Sequence, residues 1–90
     1  MKSWIITIGH LEKARKLIPD SPDISQVLQR YQEWIDHNEL ELALDELEDA
    51  VESINCPSEF WVAMREAAIN MKLNDRANRF SRILANQFPQ

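Results

Sequence analysis

Ninety residues with 44% hydrophobic and 28% charged side chains make a single globular domain, and the balance excludes a disordered chain. The formal net charge of −5 argues against nucleic acid or anionic membrane as the main ligand. One cysteine, Cys56, allows no intramolecular disulfide and fits a reducing compartment.

The charge is unevenly placed. Residues 1–20 hold four basic and two acidic groups, a net +2. Residues 21–64 hold Arg30 against eleven acids, a net −10. Residues 65–90 hold five basic and two acidic groups, a net +3. An acidic middle between basic ends leaves room for internal pairing, with the end helices packed beside the acidic one.

With one glycine, no hairpin turn signal and little strand alternation, the chain reads as all-α. The expected architecture is a compact irregular bundle of four to five short helices in a single domain, residues 1–90. The apolar run Trp4–Ile8 is too short for a signal peptide or a membrane span, and charged residues follow at once. A cytoplasmic protein is expected.

The first helix is expected over Ser3–Leu17, with Trp4, Ile8, Leu11, Ala14 and Ile18 as its apolar stripe and Pro19 as its stop. Gly9 costs a helix interior ~1 kcal/mol, so an extended lead with a helix only from His10 is the alternative. Ser21 is placed to cap a second helix, with Pro22 at its first position. That helix runs to about His37 and buries Ile24, Val27, Leu28, Tyr31, Trp34 and Ile35.

A third helix is expected from Asn38, where Asn38 and Glu41 form a variant capping box. Leu40, Ala43, Leu44, Leu47, Ala50, Val51 and Ile54 recur at helical spacing and face the core. Opposite them stand Glu41, Asp45, Glu48 and Glu52, flanked by Glu39, Glu46 and Asp49. No Lys or Arg lies between residues 31 and 64. Carboxylates at i, i+4 repel by roughly a few tenths of a kcal/mol per pair. Two readings fit such a face: a solvated surface, or a docking site for a cationic partner. Leu42 stands among these acids as an exposed apolar point. Glu41, Leu42, Asp45, Glu46, Glu48, Asp49 and Glu52 are therefore the candidate partner-binding residues.

Asn55–Ser58 breaks the chain. The fourth helix is expected over Pro57–Lys72 with Phe60, Trp61, Met64, Ala67, Ala68 and Met71 inward. The fifth is expected over Asp75–Phe88 on Ala77, Phe80, Ile83, Leu84 and Phe88, with Asn74 as a boundary residue. Two successive helix pairs raise a tetratricopeptide-like reading. The pairs do not share Gly, Tyr and Pro positions at a 34-residue period, which counts against it.

Catalytic and ligand chemistry finds little support. His10 and His37 lie far apart, and His37 suits a helix C-terminus. Cys56 precedes a helix N-terminus, a position that can lower a thiol pKa, yet no base or oxyanion site accompanies it. The acidic run lacks the glycine and alternating ligands of a calcium loop. No catalytic, cofactor or metal residues are assigned. Arg76, Arg79 and Arg82 line up at i, i+3, i+6 and read as ion-pair partners for the acidic majority. One of Trp4, Trp34 and Trp61 at the edge of its stripe would suit a protein interface.

The stretch His37–Leu47 reads as a helix end, a short break and then Glu-x-x-x-Ala-Leu-x-x-Leu. With Ala14-Arg15 before it and Phe60-Trp61, Ala67-Ala68 and Met71 after it, the chain resembles the small all-helical immunity proteins of bacterial polymorphic toxin systems. MafI-like immunity proteins and some of those in contact-dependent growth inhibition look like this. Asn38, Glu39, Ala43 and Leu44 stand at the positions that carry the likeness; Asn38 replaces the frequent Gly. The resemblance covers roughly residues 10–75 and brings no catalytic residues. It implies a stoichiometric inhibitor whose partner is the C-terminal domain of a cognate toxin, with a nuclease suited to an acidic face. The alternative is a helical adaptor or regulator of protein–protein interactions. The oligomeric state is left open.

Overall fold

A computed structural model describes residues 3–19, 21–52 and 54–87. Among these, Ser3–Lys16 (α1), Ser25–Asp36 (α2), Leu40–Ala50 (α3), Ser58–Asn70 (α4) and Asn74–Gln87 (α5) are α-helices, and no strand occurs. The all-α expectation holds. The expected contribution of Phe88 falls outside the described residues.

α1 is continuous through Gly9, so the extended alternative for its first half is not adopted. Its buried face is Thr7, Leu11 and Ala14, and Ile18 continues it just past the helix end. Trp4 departs from the expected stripe and is 42% exposed, while Thr7 takes the inward position one turn on. The Thr7 hydroxyl accepts a hydrogen bond from Asn70 Nδ2 at 2.6 Å. Pairing makes the burial of this polar side chain affordable. It also sets the N-terminal half of α1 beside the C-terminal end of α4.

Ser21 caps as expected, its hydroxyl accepting from the Asp23 N–H at 3.3 Å. The segment it opens is a 3-10 turn, Pro22–Ile24, which then passes into α2. Ile24 and Tyr31 are buried, and Val27, Leu28, Trp34 and Ile35 pack partly buried around them. Burial first, and the Glu12 carboxylate second, push the Tyr31 phenol above its ordinary range.

The expected capping box at Asn38 is not formed. Asn38 has φ 58°, in the left-handed region, and α3 begins at Leu40 with no side-chain cap at its N-terminus. Asn38 instead closes α2. The Glu39 N–H bonds the Trp34 carbonyl at 2.8 Å and the Asn38 N–H bonds the Ile35 carbonyl at 3.0 Å, which is a Schellman motif. Asn is both a good cap and a tolerated left-handed residue, and satisfying two α2 carbonyls decides between the roles.

The same turn recurs between α4 and α5. Lys72 has φ 62°, Leu73 N–H bonds the Ala68 carbonyl at 2.9 Å, and Lys72 N–H bonds the Ile69 carbonyl at 3.0 Å. The two left-handed residues stand 34 positions apart, as do Leu40 and Asn74, which begin α3 and α5. The hairpin geometry therefore does repeat at the 34-residue period that the side chains do not show. The hairpins are not stacked directly, however. α1 packs along α4 and more lightly on α3, while α3 and α4 touch little.

A lysine in the left-handed region is strained by roughly 1–2 kcal/mol, which glycine avoids. Glycine's greater freedom in the unfolded chain returns part of that gain. Lys72→Gly is accordingly expected to stabilise the protein by roughly 0.5–1 kcal/mol, read as a higher midpoint in thermal unfolding.

The core lies between the hairpins and α1. Leu11, Ala14, Tyr31, Ala43, Leu44, Leu47, Phe60, Met64, Ala67, Ala68 and Phe80 are fully buried. The half-buried Trp61 stands edge-on to Phe60, ring centroids 4.9 Å apart, and reaches Phe80 of α5 at 5.8 Å. Ala63, Ala67 and Ala68 keep one side of α4 small, which suits the close approach of neighbouring helices. The Cα envelope, 41 × 34 × 18 Å, is about two helices thick.

Candidate functional site

α3 places its apolar residues inward as expected: Leu40, Ala43, Leu44, Leu47, Ala50 and Val51 are all buried. The acidic residues therefore lie on its outer side, and the structure sorts them into two groups. In the first, each carboxylate is held by an arginine of its own chain. Arg76 of α5 pairs with Asp45 and lies 3.6 Å from Glu41. Arg79 of α5 pairs with Glu48 at 2.6 Å. Arg30 of α2 donates through Nε to both carboxylate oxygens of Glu46, at 3.1 and 3.3 Å. Trp34 Nε1 donates to the same carboxylate at 3.2 Å.

The acidic face is thus partly neutralised from within, by the basic residues on either side of it in sequence. Exposed pairs of this kind contribute roughly 0–1 kcal/mol each. Glu46 is the most structural of the four. Its side chain is only 15% exposed and joins α2 to α3 through two donors. Arg82, the third residue of the expected basic row, makes no ion pair among the described residues.

Leu42, Asp49 and Glu52 form the second group. Leu42 is 39% exposed, and Asp49 and Glu52 are exposed with no ion pair among the described residues. Leu42 and Asp49 share one edge of α3, two turns apart, and Glu52 continues it past the helix end. Seven carboxylates, counting Glu39, still face only Arg30, Arg76 and Arg79, so the surface stays net negative.

The sequence identified every acid of this face. It missed which of them are occupied, because the arginines come from α2 and α5. The i, i+3 spacing of Arg76 and Arg79 was the available signal, matching the four- and three-residue steps from Glu41 to Asp45 to Glu48.

A groove of about 440 Å³ with mixed polar and apolar walls opens at the end of the bundle where both hairpin turns gather. Trp4, Asn38, Glu41, Asn70, Met71 and Lys72 line it. Trp4 is thus the tryptophan that remains most open, while Trp34 and Trp61 are half-buried against the core.

Burial raises the Cys56 thiol above its ordinary range, the opposite of an activated nucleophile. His37 Nδ1 lies 2.8 Å from the Glu33 carbonyl at the end of α2. No group of three metal-ligating side chains gathers among the described residues. No helix of the described residues is long and apolar enough to cross a membrane. Cys56→Ser is expected to leave folding and partner binding unchanged, checked by thermal unfolding and by binding of the partner. Comparison of the chain with family models, curated proteins and solved structures gives no match.

Proposed function

We propose that this protein acts by binding, as a cytoplasmic immunity protein that neutralises the C-terminal domain of a cognate bacterial toxin. The observation that carries the reading is the outer edge of α3. There an exposed leucine shares one edge with carboxylates that no arginine occupies among the described residues, on a face that remains net negative. Such an edge suits a protein partner with Lys or Arg around a small apolar site, as a nuclease cleft offers. Complementary charge would steer the encounter, toward ~10⁸–10⁹ M⁻¹s⁻¹ at low salt, and apolar contact would slow dissociation. The likeness of His37–Leu47 to helical immunity proteins names the class of partner.

The second reading, a helical adaptor or regulator, is favoured by one feature: two hairpins of equal turn geometry 34 residues apart, a unit used in helical interaction scaffolds. A pull-down of the C-terminal domain of a toxin encoded beside this gene separates the two. Stoichiometric capture, with rescue of growth on co-expression, supports the inhibitor. Failure of both leaves the adaptor reading.

A further inference from the structure

Three helices leave large apolar side chains exposed, and Val62 and Ile69 on α4 are one such set; the other two faces carry unpaired charge of opposite sign. One is the α3 edge described above. The other is the outer face of α1. Ile5 and Ile6 are 48% and 40% exposed there, and Trp4 stands open beside them. Lys13 and Lys16 follow about two and three turns further along, exposed and without an ion pair among the described residues. Between the isoleucines and the lysines lies Gly9.

Nothing lies within 4 Å of where a Gly9 Cβ would stand, so no neighbour in this chain requires a glycine. A glycine in a helix interior costs ~1 kcal/mol relative to alanine. On an exposed helix face between apolar and charged side chains, a glycine permits close approach by another backbone.

The order of groups on the two faces matches. On α1, Ile6, Lys13 and Lys16 follow one another at steps of seven and three residues. On and just past α3, Leu42, Asp49 and Glu52 do the same. If the segments are laid side by side in parallel, the isoleucines meet Leu42. Both lysines then come within side-chain reach of the two unpaired carboxylates. Gly9 gives the room for that approach beside Asp45. Two α1 faces brought together would instead set an unpaired cationic surface against its like.

We propose that the outer face of α1 docks on the α3 edge of a second copy of this chain, a heterologous contact held by Ile5, Ile6 and Leu42 and by Lys13 and Lys16 against Asp49 and Glu52. Because the contact uses the α3 edge, self-association covers the surface assigned above to the toxin, and the two compete. That consequence alone rests on the inhibitor reading; the contact itself does not.

The test is sedimentation of the full chain from micromolar to millimolar concentration, at low and high salt, with no partner present. The weight-average mass is expected to rise with concentration at low salt. High salt should weaken the association about tenfold or more, because exposed charges are screened over a few ångströms at 1 M. Lys13→Glu/Lys16→Glu and Asp49→Lys/Glu52→Lys should each abolish association alone. Their equimolar mixture should restore it, because one variant then offers the acidic edge that the other's basic face fits, and the reversed pair fits as well. Gly9→Leu should also abolish it while keeping the helical circular dichroism and raising the unfolding midpoint. A parent that sediments as a monomer throughout overturns the proposal. So does association that survives the lysine reversals or Gly9→Leu, or a mixture that stays monomeric. Loss of toxin binding with self-association intact would count only against the inhibitor reading.

Discussion

Leu44→Ala and Leu47→Ala should each destabilise the protein by roughly 2–5 kcal/mol, the range for emptied core sites. Both side chains are fully buried on the inner face of α3, where the core of the bundle closes over them. Removing either leaves a cavity that close-packed neighbours fill only in part. For a domain of this size each kcal/mol moves the unfolding midpoint by about 4–8 °C, so shifts on the order of 10–30 °C are expected in thermal circular dichroism. A midpoint unchanged in either variant would show that α3 does not present this face to the core.

The second large effect separates the two groups of carboxylates. Asp49→Lys/Glu52→Lys alters exposed residues without an ion pair among the described residues, so stability should stay within about 0.5 kcal/mol of the parent. Association with a basic partner should slow by about tenfold or more and lose most of its salt dependence. Asp45→Lys/Glu48→Lys should behave differently. Each new lysine faces the arginine, Arg76 or Arg79, that held the original carboxylate. Attraction becomes repulsion at both sites, and the expected loss is about 1–2 kcal/mol of stability. Stopped-flow association and thermal unfolding on both variants check the pair of outcomes. A folded Asp49→Lys/Glu52→Lys protein that binds its partner as the parent does would move the interface away from the α3 edge, with the open face of α1 next to be tested.

What the amino-acid order determined by itself was the set of elements and the inward face of most of them. Leucine and alanine at helical spacing define the inner side of α3 whatever it packs against, because that face must leave water. Pro19, Ser21-Pro22 and Pro57 bound their helices through local backbone chemistry that needs no neighbour. The acids of α3 were equally legible, since a residue opposite an apolar stripe points away from the core.

Tertiary structure decided what each outward group meets. Asn38 had two local uses, and the carbonyls of α2 selected the left-handed one. Trp4 and Thr7 are neighbours on the same helix. The position of α4, through Asn70, buried the smaller polar residue and left the larger apolar one open. The strongest sequence feature, an acidic row without nearby lysines, was neutralised in part by arginines about 30 residues downstream and about 15 upstream. Pairing across that separation depends on how α2 and α5 lie beside α3, and helical periodicity describes one helix at a time. Only the folded chain therefore distinguishes carboxylates that hold the bundle together from those left for a partner.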